Sequence, residues 1–207
     1  MFIMNVIIGI GLVIAILLAV AINGRTRERR LRAIQRRFLD DEAAANNVRK
    51  KDLGPELFYE ADFTVLPPLP PGDPYEVERC AARKMIRFEE HVTNLELKQR
   101  YGLAQLDLIA QYEENFTLYQ KALTDWGAAL VEEGNKARAL TVLGEAITLG
   151  SQYRDTYKLV ADIYADRGDS ESLEALIDYA TQTHFDDPAM RVHIHAYINR
   201  KLEEIYV

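Results

Sequence analysis

EEGNKARALTVLGEAI, residues Glu132 to Ile147, is echoed 34 residues later by DRGDSESLEALIDYAT, residues Asp166 to Thr181. Gly134 returns as Gly168, Leu143 as Ile177 and Ala146 as Ala180. A pattern of glycine, large and small residues used twice at this period is the packing code of stacked helical hairpins. The glycines fall where a helix would end in left-handed backbone, and the apolar residues beyond them recur at three and four. The fold class read from this is all-α.

Ahead of each glycine the chain places Leu123, Trp126, Gly127 and Leu130, then Tyr157, Val160, Ala161 and Tyr164; behind it come Ala139, Leu143 and Ala146, then Leu173, Ile177 and Ala180. This arrangement resembles the tetratricopeptide repeat. The resemblance implies a short α-solenoid with copies at 120–153 and 154–187 and a capping helix at 188–207. The chain departs from the family at Leu173, where a small residue is usual, and at Ser151 and Phe185, where the family has a terminal proline; Pro188 comes three residues late. In the family the first helix of each repeat lines the inner surface. The resemblance therefore implies a partner-binding groove of Lys121, Thr124, Ala128, Val131, Asp155, Lys158, Asp162 and Ala165, joined by Val192, Ala196 and Asn199 from the cap. Thr124, Ala128 and Leu159 stand where three members of the family's carboxylate clamp would be. The implied ligand is thus an amphipathic helix or an extended segment rather than a chaperone tail.

Working outward, Asp73-Pro74 suits the start of a helical domain over 74–207, with Asp as a cap and Pro in the first turn. Val77, Ala81, Met85, Phe88, Val92 and Leu95 then predict one helix to about Arg100. A second helical stretch from Leu103 to Gly127 is expected to break near Glu114 to Thr117, so that the two form a degenerate hairpin before the repeats. Residues 52–73 read as a Pro-rich linker, with Pro67, Pro68, Pro70 and Pro71 favouring extended backbone. Spacer, PxxP ligand and docked segment are all open, and Phe58, Tyr59, Phe63, Val65 and Leu66 make part of it too apolar to hang free.

The net charge of −7 is unevenly distributed. Residues 25–51 carry ten Lys/Arg against four Asp/Glu, whereas 52–207 carry fifteen against twenty-eight. An acidic body repels phosphates, which argues against a nucleic-acid partner. The basic block follows Phe2 to Ile22, a stretch without a charged residue that, as a helix, spans about 30 Å of hydrocarbon. Residues 1–24 are expected to form a single transmembrane anchor; a cleaved signal peptide, ending at Ala19 and Ala21, is the rival reading. With Arg25, Arg27, Arg29, Arg30, Arg32, Arg36 and Arg37 on one flank only, the positive-inside rule places the carboxy-terminal domain in the cytoplasm. Those arginines are either a topology signal or, as a juxtamembrane helix over 25–51 with Leu31, Ile34 and Phe38 on one edge, contacts to anionic lipid. Gly11, Ala15 and Ala19 form a small-residue strip that suits a homodimer of anchors.

Chemistry-bearing motifs are scarce. His193 and His195 lie about 200° apart on a helix, which rules out shared chelation from one face, and His91, His184 and Cys80 have no partner at ligand spacing. No Gly-rich phosphate loop with Lys, GxSxG or HExxH occurs. Neither enzyme activity, a metal nor a cofactor is expected. The sequence leaves two functions: a membrane-anchored adaptor presenting its groove to a cytoplasmic protein, or a permanent structural or assembly subunit of a membrane complex.

Overall fold

The structure, a computed structural model, describes residues 30–88, 90 and 92–206. The predicted span, its Gly11, Ala15 and Ala19 strip and Arg25, Arg27 and Arg29 lie outside these residues. Among the described residues no helix is long and apolar enough to cross a membrane. The chain is mostly helical and divides into two units, 30–51 with 93–106, and 52–92 with 107–206.

In the smaller unit, α1 covers residues 30–46 and α3 is Asn94–Tyr101. Thr93 and Glu96 form a capping box at the start of α3, which satisfies the N–H groups of both residues. Gly102, at φ 84°, ends the helix where a Cβ would stand 2.8 Å from Val48 O and 2.9 Å from Arg49 O; only glycine fits. Lys51 N–H donates to Tyr101 O at 3.0 Å and Gln105 Nε2 to Lys51 O at 2.6 Å. Lys98 reaches Glu42 on α1 at 2.7 Å, with both side chains largely shielded. Ala45 and Leu97 are buried.

The larger unit is built on α4 (Leu106–Glu132), α5 (Lys136–Thr148), α6 (Arg154–Asp166), α7 (Ser170–Gln182) and α8 (Pro188–Tyr206). Gly134 and Gly168 of the echoed stretches do what the sequence requires. Gly134 N–H bonds Val131 O and Asn135 N–H bonds Leu130 O; Gly168 and Asp169 repeat the pair on Ala165 O and Tyr164 O. Both glycines have positive φ, 79° and 66°. The following Asn135 and Asp169 then accept from Arg138 N–H and Ser172 N–H, so one dipeptide closes a helix and caps the next. Gly150, at φ 77°, closes α5 in the same way. α5 packs on α6, and α8 packs on both α6 and α7. Gly127 allows α4 to approach Leu143 of α5.

The departures from the repeat pattern have work in the structure. Ser151 is fully buried, and its hydroxyl lies 2.9 Å from Thr156 Oγ1, which in turn lies 2.8 Å from Thr124 Oγ1. This buried hydroxyl chain ties α4 to the start of α6. Phe185 is buried edge-on against Tyr157, with ring centroids 5.6 Å apart.

Two expectations fail upstream. The helix predicted from Asp73 to Arg100 is helical only at its two ends, α2 (Val77–Ala81) and α3 (Asn94–Tyr101). Glu76 enters α2 in left-handed backbone, while Asp73 Oδ2 still accepts Glu78 N–H at 2.8 Å. The chain then turns, and Met85–Ile86 forms strand β2, antiparallel to β1, Phe58–Tyr59. Met85 and Ile86 are adjacent and both buried, which a ribbon between two layers accommodates and a single helix face does not. The second failure is the break near Glu114 to Thr117, for α4 runs through it. Thr117 donates back to Glu113 O and Asn115 to Lys84 O, so the polar residues are used by the helix and by the ribbon's approach. In place of a degenerate helical hairpin, the ribbon and the Pro-rich segment cover α4. Tyr59 packs on Phe116 and Tyr119, Leu66, Val77, Cys80 and Met85 enter the core, and Arg138 donates to Pro68 O at 2.6 Å.

Candidate functional site

The residues expected to line a groove fall into three groups. Thr124 is buried in the hydroxyl chain and lines nothing. Ala128, Val131 and Ala165 are half-buried, whereas Val192, Ala196 and Asn199 on α8 are exposed. The charged members are engaged with neighbours. Lys121 pairs with Asp125 and approaches the Tyr153 ring at 6.0 Å. Asp162 accepts from Tyr197 Oη at 2.7 Å and lies 3.1 Å from Lys201 Nζ, both on α8. Lys158, besides pairing loosely with Asp155, sits 5.2 Å from the Tyr197 ring centre, with Arg200 at 4.8 Å on the same ring. Burial, then the Asp162 carboxylate, pushes the Tyr197 hydroxyl up, and Glu204 with Asp162 holds the Lys201 ammonium charged. Lys158 and Asp162 thus fasten the cap to α6.

An open cleft of about 490 Å³ lies elsewhere on the same unit. Its walls are Ile86 of β2 with Arg87, Phe88, Glu90 and Val92 beyond it, the α4 residues Glu113, Phe116, Thr117 and Gln120, the α5–α6 connection and the end of α7. Gln152 holds two of these walls together: its Nε2 donates to Gly150 O and His184 O, and its Oε1 accepts Asp186 N–H. Arg87 donates to Thr148 O at 3.2 Å, and Gln120 Nε2 to Leu149 O at 2.9 Å. These bonds occupy donors. Gln120 is 2% exposed, and its Oε1 has no hydrogen-bond partner. Such an orphan acceptor is costly unless something donates to it.

The lining is acidic, with Glu90, Glu113 and Asp186 against Arg87. Burial, then the nearby Asp186, raises the Glu113 carboxyl above its ordinary range. Tyr179 is half exposed at one rim, and Phe88 lies on the opposite wall. The site therefore favours a ligand rich in N–H donors and positive charge with an apolar stem, as a lysine or arginine side chain has. Among the described residues no cluster of three or more His, Cys, Asp or Glu is placed to hold a metal. His195 instead lies 3.3 Å from Thr181 Oγ1.

None of the cleft's walls was singled out in the sequence. They come from four separate segments, and the pairing of Phe58–Tyr59 with Met85–Ile86 that brings the first wall in has no signal at helical spacing. Gln120, a polar residue within the apolar run from Phe116 to Leu123, was the available clue. Compared with protein-family models, with curated proteins and with solved structures, the chain gives no significant match.

Proposed function

We propose that this chain is a single-pass membrane protein whose helical body stands in the cytoplasm and takes up a basic segment of a protein partner. One observation carries the reading: an open cleft whose lining sets the carboxylates of Glu90, Glu113 and Asp186 against a single Arg87, which already donates to Thr148 O. A surface of this kind selects by charge and shape and needs no cofactor. The doubled Gly-Asn and Gly-Asp turns support the tetratricopeptide-like reading of the scaffold, which presents partners rather than transforming them. The arginines after the apolar stretch support the cytoplasmic placement.

The test is photocrosslinking in intact cells with a reactive residue at Tyr179, at the cleft rim, or at Glu171, an exposed position in the first turn of the same helix. A partner adduct is expected at 179, absent at 171, and abolished by Asp186→Lys, which reverses an exposed charge of the lining. Equal adducts at both positions, or an adduct at 179 indifferent to Asp186→Lys, would overturn the cleft as the binding surface. A partner that never exchanges in a pulse-chase would make the chain a permanent subunit instead of an adaptor.

A further inference from the structure

Helix α1 projects an apolar arc that nothing among the described residues covers. Leu31, Ile34, Phe38 and Leu39 are 55%, 63%, 55% and 64% exposed. At 3.6 residues per turn these four fall within an arc of about 140°, which also holds one uncharged polar residue, Gln35. The arginines sit along its two borders: Arg32 and Arg36 follow Leu39 on one side, and Arg30 and Arg37 follow Ile34 on the other. Ala33 and Asp40 occupy the opposite pole. Further along the helix the same arc holds Glu42 and Ala45, and there it is packed: Ala45 is buried and Glu42 is paired with Lys98 of α3. The end of α1 is thus fixed by α3, while its first two and a half turns, on the same face, stand bare.

The pattern of charge identifies the occupant. A helix with an apolar face and cationic side chains at both borders sits at a bilayer surface, with its apolar side in the acyl boundary and its arginines reaching outward to phosphates. Residues 30–39 hold four arginines and no acidic residue, the complement of an anionic leaflet. Only seven residues, 23–29, lie between Arg30, the first described residue, and the uncharged stretch Phe2 to Ile22 in the sequence. Resting on the reading of that stretch as the anchor, we infer that the first turns of α1 lie on the surface of an anionic bilayer through Leu31, Ile34, Phe38 and Leu39, with the arginine rows bound to lipid phosphates.

The experiment uses the full chain reconstituted in nanodiscs of neutral phosphatidylcholine or of phosphatidylcholine with phosphatidylserine. An environment-sensitive fluorophore is placed on a cysteine at position 34 or 38 on the arc, or at position 33 on the opposite pole; the native Cys80 is buried. In anionic discs, labels at 34 and 38 should shift to the blue and be quenched by a nitroxide on the lipid chain, while the label at 33 stays as in water. Arg36→Gln combined with Arg37→Gln, or salt raised from about 0.1 M to about 1 M, should reverse the shift, since screening shortens from about 10 Å to about 3 Å. Equal, water-like spectra at all three positions would overturn the inference, as would a blue shift at 34 and 38 without lipid-chain quenching, which would mean that a second copy or a protein partner covers the arc. A chain that fails to enter discs of either composition would refute the anchor itself, a result distinct from insertion with a wet α1.

Discussion

At Gly127, α4 comes so close to α5 that an added Cβ would stand 2.4 Å from Leu143 Cδ2 and 2.5 Å from its Cγ, and Leu143 is wholly buried. Gly144, one residue along α5, has nothing within 4 Å of the same atom. The two glycines therefore predict opposite signs for one substitution. Gly144→Ala removes a helix penalty and should stabilise by about 0.5–1 kcal/mol. Gly127→Ala gains the same propensity but overpacks a core contact that costs about 1–3 kcal/mol, so it should lower stability overall. Urea denaturation of the two variants beside the parent measures both, and a stabilised Gly127→Ala would show that α4 and α5 are free to separate. In the sequence Gly127 was already placed among the small residues of a first repeat helix. Thr124 was misread for want of the same local information. The family resemblance implied an inner face for it, but its hydroxyl donates to Gln120 O and lies against Thr156 Oγ1, a partner 32 residues away.

Among the elements, the end of α4 and the helices α5 to α7 were legible because they are bounded by their own turn chemistry, Gly134-Asn135 and Gly168-Asp169 above all. The layer before them was not, because the residues that define it are paired across the chain. Val77, Ala81, Met85 and Phe88 keep a helical period, yet Arg87 N–H bonds Leu57 O and Met85 faces Tyr59 across the ribbon. Long-range pairing overrode local periodicity. The cleft inherits that difficulty, since one of its walls is the chain leaving β2. The Pro-rich segment is accordingly part of the fold, held through Tyr59, whose hydroxyl is 3.4 Å from Glu145 and is pushed up to about 12 by burial first and that carboxylate second. Tyr59→Ala should cost about 2–4 kcal/mol, the range for loss of a large, partly buried aromatic contact. It should also make residues 52–73 sensitive to limited proteolysis at a protease level the parent resists. A free spacer would show neither change.

For the whole molecule, the distribution of charge decides how the chain can stand at a bilayer. The block 25–51 carries ten basic residues against four acidic ones, and the rest from 52 onward carries fifteen against twenty-eight. An anionic leaflet attracts the first and repels the second over roughly a Debye length of 8–10 Å. Within that block the seven arginines from 25 to 37, lying within about 15–20 residues of the apolar stretch, are what the positive-inside rule counts; acidic residues farther along contribute little to orientation. On the proposed membrane-anchored reading, both arguments favour a cytoplasmic placement of the block. If that placement holds, protease added to intact cells, or to the intact organelle that carries the protein, leaves the helical body undigested. Opening the membrane should expose it, with cleavage beginning at exposed segments before the helices from α4 to α8. Replacing all seven arginines from 25 to 37 with glutamine should erode that protection in a fraction of the molecules, because the charge difference that sets orientation is then gone. Digestion of the parent in sealed cells would put the body outside, and release of a soluble chain beginning near Ile22 would make the apolar stretch a leader rather than an anchor.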